Sequence, residues 1–362
     1  MRTDTNPPRY TRTPHLVGLV AEAERLATLV AGASRGDRDR VGDGLRQRAA
    51  LATLRLDGSP IERPPALDGA NPVPVAEVGE VAEVAASGHR GTWFDAMGVG
   101  GRADEAVLAL EFLGATAALA SDDLADRLLA APQETLAELH RRLVQGLVDE
   151  AQAGSPRRSG QAVHDASVGR IIYFATDPAD VPTRLALLSA WLQSAGAREH
   201  GLVVSGVLHL ELLLIHPFES ANGRLARAAA RLALRARGLD PHGLAVPEVA
   251  LGRAPIAYYE DVAATARRRD HTVWLERWGE AVAAGLREAA HALGVLAAEP
   301  APRAATFLDR WGAAGFTIAD YRATAEVGPE ESRSDLDALL DAGLVRRVQG
   351  SRGLRFEVVA PR

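Results

Sequence analysis

Apolar residues recur at helical spacing along most of this chain. Leu16, Leu19, Val20, Ala23, Leu26 and Val30 form one stripe, which predicts an amphipathic helix over 15–31. The same periodicity predicts helices over 45–56, 105–120, 136–151, 181–195, 202–215, 222–237, 258–266 and 273–293. β-type residues at 161–163 and 169–174 predict a short hairpin. Residues 1–14 read as a polar arm, and 64–101, rich in Pro, Gly and Ala, as loop with one short helix. Glu299-Pro300-Ala301-Pro302 reads as a linker. Beyond it the pattern predicts a helix over 304–313, a second opening at Thr317 and a third over 332–342. Strands at 344–348 and 354–359 then flank Gly350-Ser351-Arg352-Gly353. The chain is expected to be mainly α.

Composition narrows the chemistry. The 362 residues suffice for two domains. A net charge of −6 gives no global basic field for nucleic acid. There is no cysteine, which excludes disulfides, thiolate nucleophiles and zinc–thiolate sites. There is also no lysine. That removes the P-loop lysine and Schiff-base catalysis. The first twelve residues are polar and Pro-rich, unlike a signal peptide, and no window approaches the roughly 20 apolar residues of a bilayer span. A cytoplasmic protein with no membrane partner is expected.

The apolar pattern breaks once in an informative way. Leu210–Ile215 runs into His216-Pro217-Phe218-Glu219-Ser220-Ala221-Asn222-Gly223-Arg224-Leu225-Ala226-Arg227. Asn222-Gly223 is a turn signal, and asparagine is a good N-cap. The amides that open the following helix, with its dipole, make an anion site. Arg224 and Arg227 are three apart, so both can reach one anion. His216 supplies a base beside it. A base next to a polyphosphate cradle points to phosphoryl or nucleotidyl transfer.

These residues resemble the motif of the Fic/Doc (Fido) family, His-x-Phe-x-(Asp/Glu)-Gly-Asn-Gly-Arg-x-x-Arg. The chain departs at two places: Ser220 stands where the family has an acid, and Ala221 where it has the first glycine. The resemblance implies a Fido-type helical bundle with a β-hairpin flap. It implies a protein adenylyltransferase that moves AMP from ATP to a Ser, Thr or Tyr hydroxyl of a target protein. His216 would be the general base. Asn222, Gly223, Arg224 and Arg227 would bind the phosphates. The Ser220 position would serve Mg²⁺, more weakly than an acid because a hard cation prefers carboxylate oxygen.

Family members are often restrained by a helix bearing (Ser/Thr)-x-x-x-Glu-(Gly/Asn). Thr53-Leu54-Arg55-Leu56-Asp57-Gly58 matches with Asp for Glu, which implies an inhibitory role for Thr53, Asp57 and Gly58. The same residues also read as a plain helix end with Gly58 as its cap. Ile171, Ile172 and Tyr173 on the flap would meet the target's extended segment. The implied organisation is an N-terminal helical region over 1–100, a catalytic core over 101–298 and a C-terminal domain over 303–362.

That last domain resembles a winged helix-turn-helix. Arg333, Arg346, Arg347, Arg352 and Arg355 would face DNA, but Glu330, Glu331, Asp335, Asp337 and Asp341 line the same helix and repel phosphate. Protein contact or a homodimer is the preferred use over DNA. The competing functional reading is a catalytically weak or inactive nucleotide-binding regulator acting through this domain.

Overall fold

The computed structural model describes residues 8–65, 102–165, 170–296, 301–311, 315–342, 344–350 and 353–359. Most of the 64–101 region and the Arg352 position lie outside them. The chain forms two compact units, residues 1–289 and 290–362.

In the first unit, α1 (Pro14–Gly32) starts where the Thr13 hydroxyl accepts the Leu16 N–H and proline takes the first turn. It buries Leu16, Ala23, Leu26, Ala27 and Val30, much of the expected stripe. Helix α2 (Arg35–Leu56) begins ten residues before its sequence expectation. Ser34 caps it through the Asp37 N–H, and its charged first turns carry no apolar signal. It ends at Asp57, with Gly58 at φ +88° turning the chain out.

The remaining α-helices among the described residues up to 292 are α3 (Arg102–Leu119), α4 (Asp122–Leu128), α5 (Pro132–Leu143), α6 (Val181–Gln193), α7 (Gly201–Ile215), α8 (Asn222–Ala236), α9 (Pro247–Leu251), α10 (Pro255–Arg268) and α11 (Thr272–Ala292). Helix α5 stops eight residues short of the expected end. The Val144 N–H closes on the His140 carbonyl and the chain turns at Gly146. Helices α4 and α9 are one to two turns long, too short to display a period.

The core is the pair α7 and α8. Helix α7 is buried on nearly every side, and its apolar run reads accordingly. Trp274 donates to the Gly206 carbonyl at 2.7 Å and Trp278 to the Ser205 hydroxyl at 2.8 Å, tying α11 to α7. Between α5 and α6, β1 (Ala162–Asp165) pairs antiparallel with β2 (Arg170–Phe174), in register Val163 with Tyr173.

The second unit holds α12 (Pro302–Trp311), α13 (Ile318–Ala325), α14 (Pro329–Asp341), β3 (Val345–Gly350) and β4 (Gly353–Val358). The two strands pair antiparallel, and Phe316 bridges to Phe356. Phe307, Phe316, Tyr321, Leu336, Leu339 and Phe356 form its core. A Thr317–Asp320 capping box opens α13.

Candidate functional site

The site is the turn between α7 and α8. Helix α7 ends on His216, which adopts a left-handed conformation (φ +48°) while its N–H still reaches the Leu212 carbonyl. The imidazole Nδ1 bonds to the Leu213 carbonyl, so Nδ1 carries the proton and Nε2 the lone pair. The ring is half-buried, with the Tyr173 ring edge-on at 6.3 Å. Burial, reinforced by the Arg157 cation, pulls its pKa down to about 4, against the Leu213 carbonyl and the Asp57 carboxylate. Near neutral pH His216 is therefore an unprotonated base.

Phe218 is 3% exposed and stacks on His140 at 4.0 Å, anchoring the loop. Ala221, rather than Asn222, is the N-cap of α8, and it sits at φ +55°, ψ +19°. It has no side-chain oxygen to offer the opening amides. The Leu225 N–H to Ala221 carbonyl bond starts the ladder, which leaves the amides of 222–224 ahead of it. Asn222 serves as a brace instead of a cap. Its Oδ1 accepts the Phe218 N–H at 3.0 Å, and its Nδ2 donates to the Phe218 carbonyl at 2.7 Å and Gln161 Oε1 at 3.2 Å. Those bonds set the loop shape, so its side chain is committed within the protein.

Arg224 and Arg227 are 4% and 1% exposed, and the end of α2 meets both. Asp57 Oδ1 pairs with Arg227 Nη2, and Asp57 Oδ2 lies 3.3 Å from Arg224 Nε. Thr53 accepts Arg227 Nε at its hydroxyl and Nη2 at its carbonyl, the latter at 2.9 Å. Gly223 lies directly against the Asp57 carboxylate and the Arg227 guanidinium, where a side chain would collide. The Tyr259 hydroxyl donates to the Leu56 carbonyl at 2.9 Å and holds the same helix end. Thr53 and Asp57 thus converge on the motif arginines, and Gly58 makes the turn that follows.

Three buried guanidinium nitrogens, Arg224 Nε and Nη1 and Arg227 Nη1, have no hydrogen-bond partner. Arg224 Nε has Asp57 Oδ2 as a counter-ion at 3.3 Å, and buried cationic donors that make no hydrogen bond favour an anion. Ser220 offers its carbonyl to His140 Nε2 at 3.2 Å. Glu219 turns away and accepts the Arg158 N–H, the Ser159 N–H and the Ser159 hydroxyl. Among the described residues no three His, Asp or Glu side chains converge on a metal position. With Glu219, Asp57 and Glu111 all committed, this donor set does not fit a divalent cation held by the protein alone.

On the flap, Ile171 is exposed, Ile172 is half-buried, and Tyr173 turns inward to donate to the Leu213 carbonyl at 3.2 Å. Phe174, 74% exposed, stands open to solvent and carries no sequence signal of its own. Four buried or bracing groups have no site role in the sequence reading, although His140 does read there as a satisfied core or loop histidine. Glu111 on α3 lies 3.3 Å from Arg224 Nη2. His140, Arg157 and Gln161 brace the loop. Glu111 and His140 sit in ordinary helical patterns and Arg157 in a polar turn, so none stood out.

The fold resembles that of known Fic proteins. Residues 130–234, which contain the flap, α7, the turn and most of α8, match the Fic/DOC family. A Fic family protein from Desulfovibrio desulfuricans G20 superposes with a TM-score of 0.59, at 22% identity over 99% of both chains. Fic-1 (residues 134–508) from C. elegans gives a TM-score of 0.52, at 16% identity over 77% of this chain and 73% of its own. The match to the Fic/DOC family is thus confined to residues 130–234, and the likeness to the solved Fic proteins is one of fold. No helix among the described residues is long and apolar enough to cross a membrane.

Proposed function

We propose that this protein transfers AMP from ATP to a hydroxyl of a target protein, and that Asp57 holds the resting form inhibited. The observation that carries this reading is the pair of buried arginines, Arg224 and Arg227, whose Nη1 atoms make no hydrogen bond among the described residues, beside a neutral imidazole. A polyphosphate is the anion that suits two arginines at a helix start. The target O–H gives its proton to His216 Nε2 as its oxygen bonds to the α-phosphorus. The bond from that phosphorus to the bridging oxygen breaks, and pyrophosphate leaves. The α8 amides and Arg224 hold the inner phosphates and Arg227 the outermost one, acting through fixed electrostatics.

Asp57 occupies both arginines, so the outer phosphates and Asp57 compete for one place. Mg²⁺ would have only the neutral Ser220 hydroxyl at the motif position, so the protein contribution to metal binding is small. That favours a second reading, in which nucleotide binds and transfer is slow or absent, and the protein signals through its C-terminal unit.

Label on the α-phosphate of ATP separates these. Incorporation into the protein or a lysate protein by the Asp57→Gly variant, from α-labelled and not γ-labelled ATP, supports transfer. Binding of a non-hydrolysable analogue without any incorporation supports the regulator. Neither binding nor incorporation overturns both.

For the C-terminal domain expected over 303–362 we propose a winged helix-turn-helix used for protein contact or dimer formation in the cytoplasm. Three short helices followed by a hairpin suit that fold. Its arginines are largely spoken for: Arg346 pairs with Glu357 at 2.8 Å, Arg347 with Asp337 at 3.1 Å, and Arg355 donates to the Gly315 carbonyl. Arginines engaged this way offer little to a phosphate backbone.

A further inference from the structure

We propose that Arg157 is a positioning residue that fixes the base turn to the flap and sets the direction of His216 Nε2, an inference that rests on the transfer reading above. The guanidinium is 2% exposed; among the described residues it makes no ion pair within 4 Å, and it spends its donors on four carbonyls. Nε donates to His216 O. Nη2 donates to Thr176 O and, at 3.2 Å, to Ile215 O, while Nη1 donates to Ser159 O at 2.5 Å. The Arg157 N–H adds a bond to Pro217 O at 2.9 Å.

These acceptors belong to three pieces of chain. Ile215, His216 and Pro217 are the turn that carries the base. Ser159 precedes β1, and Thr176 follows β2. One side chain therefore ties both ends of the hairpin to the residue holding the imidazole. A planar fork with five donors can do this, and a lysine cannot.

The need for it follows from the turn. His216 sits in the left-handed region, which costs a non-glycine residue roughly 1 kcal/mol, so the surroundings must impose it. Transfer to an acceptor hydroxyl docked along the flap requires its oxygen to arrive within reach of Nε2. The clamp makes the flap and the base one rigid body.

The same cation acts on the ring's charge. The groups that bear on His216 are the Arg157 cation, the Asp57 carboxylate from the end of α2, the Leu213 carbonyl of α7 and the Tyr173 ring of β2. Arg157 disfavours imidazolium and Asp57 favours it. Once Asp57 leaves, burial and, after it, the Arg157 cation keep Nε2 free of a proton.

The test uses the full chain in an Asp57→Gly background, with α-labelled ATP, and compares Arg157→Met and Arg157→Lys. The expected result for Arg157→Met is a fall in kcat on the order of 100-fold, with affinity for a non-hydrolysable ATP analogue within about twofold. The acid limb of its rate profile moves up by about one pH unit. Arg157→Lys keeps the charge and loses the fork, so kcat falls about tenfold and the limb stays. Unchanged kcat, or an unmoved limb in a folded Arg157→Met protein, overturns the proposal.

Nitrogen-15 spectra of the histidine rings decide the case without turnover. The unsubstituted chain should show His216 as a single Nδ1–H tautomer that stays neutral below pH 5.5, and Arg157→Lys a mixture of tautomers. A single tautomer in both overturns the clamp, whether or not the Asp57→Gly protein transfers AMP and even if Arg157→Met does not fold.

Discussion

The Asp57 carboxylate lies against Arg227 Nη2 with one oxygen and 3.3 Å from Arg224 Nε with the other. One acid at the end of α2 thus occupies both arginines at the start of α8. Arg227 is 1% exposed, and the neighbouring charge of Asp57 keeps its pKa raised despite the burial that opposes it. Replacing Asp57 by glycine removes the competitor and leaves Arg224 with Glu111 and Arg227 with Thr53. The expected outcome is about a tenfold or larger gain in affinity for a non-hydrolysable ATP analogue, with ADP gaining and AMP gaining little. Calorimetry on the two proteins checks it. Equal affinities would mean that Asp57 does not guard the phosphate position.

Gly223 makes that contact geometrically feasible. A methyl group there would run into the Asp57 carboxylate and press on both terminal nitrogens of Arg227, which lie 3.2 Å from the Cβ position. Gly223→Ala should therefore push the end of α2 off α8. We expect a loss of about 2 kcal/mol in urea unfolding, and faster proteolysis near 57–65. Thr53→Val tests the other half of the contact. It removes the hydroxyl that accepts Arg227 Nε while keeping the shape, and should cost about 1–2 kcal/mol.

Much of this was legible in the sequence because the relevant signals are local. The stripe of α1 and the largely apolar run of α7 each state their burial within one turn or two, and the spacing of Arg224 and Arg227 puts both on one side of α8. The Thr53–Gly58 pattern named the correct helix end, although its partner lies 170 residues away. What stayed hidden depends on contacts made only after folding. Asn222 reads as a cap, but the left-handed Ala221 takes the cap place and frees the amide to bind Phe218 and Gln161. Arg157 sits in a polar turn like Arg158, and only burial under four carbonyls separates them. Glu111 looks like any helical acid until α3 packs beside Arg224.

His140 predicts how stability follows pH. It is 2% exposed, stacks on Phe218, donates to the Ser220 carbonyl and accepts the Gly154 N–H at Nδ1. Burial, then the Arg224 and Arg141 cations, lowers its pKa to about 4, against the Ser220 carbonyl. In the unfolded chain it would titrate near 6.5. Between these values the unfolded state binds the extra proton. Its stabilising contribution is complete above about pH 6.5 and is lost as pH falls toward 4. The loss is about 3 kcal/mol for this residue, and His216 adds in the same direction. Urea unfolding at pH 7 and pH 5 should show the fall, and His140→Gln should flatten it. An identical slope in the variant would assign the effect elsewhere.

Ala221, like His216 at the other end of the turn, works against its own backbone. Its φ of +55° and ψ of +19° place it in the left-handed region, and at 8% exposure it has little room to relax. The conformation is imposed from both sides: Phe218 and Asn222 hold each other across the loop, and the Ala221 carbonyl receives the Leu225 N–H at 2.8 Å. A glycine takes that conformation without the steric cost of a Cβ, but it also gives the unfolded chain more freedom. The first term is about 1–2 kcal/mol and the second about 0.5–1 kcal/mol, so the steric relief wins narrowly. Ala221→Gly should therefore stabilise the protein by about 0.5–1 kcal/mol in urea unfolding, without change in the denaturant slope. It should leave the Arg157 and Asn222 bonds in place and keep analogue affinity within about twofold, because the α8 amides do not move. A destabilised Ala221→Gly protein would mean that the alanine methyl packs more favourably than its backbone strain costs.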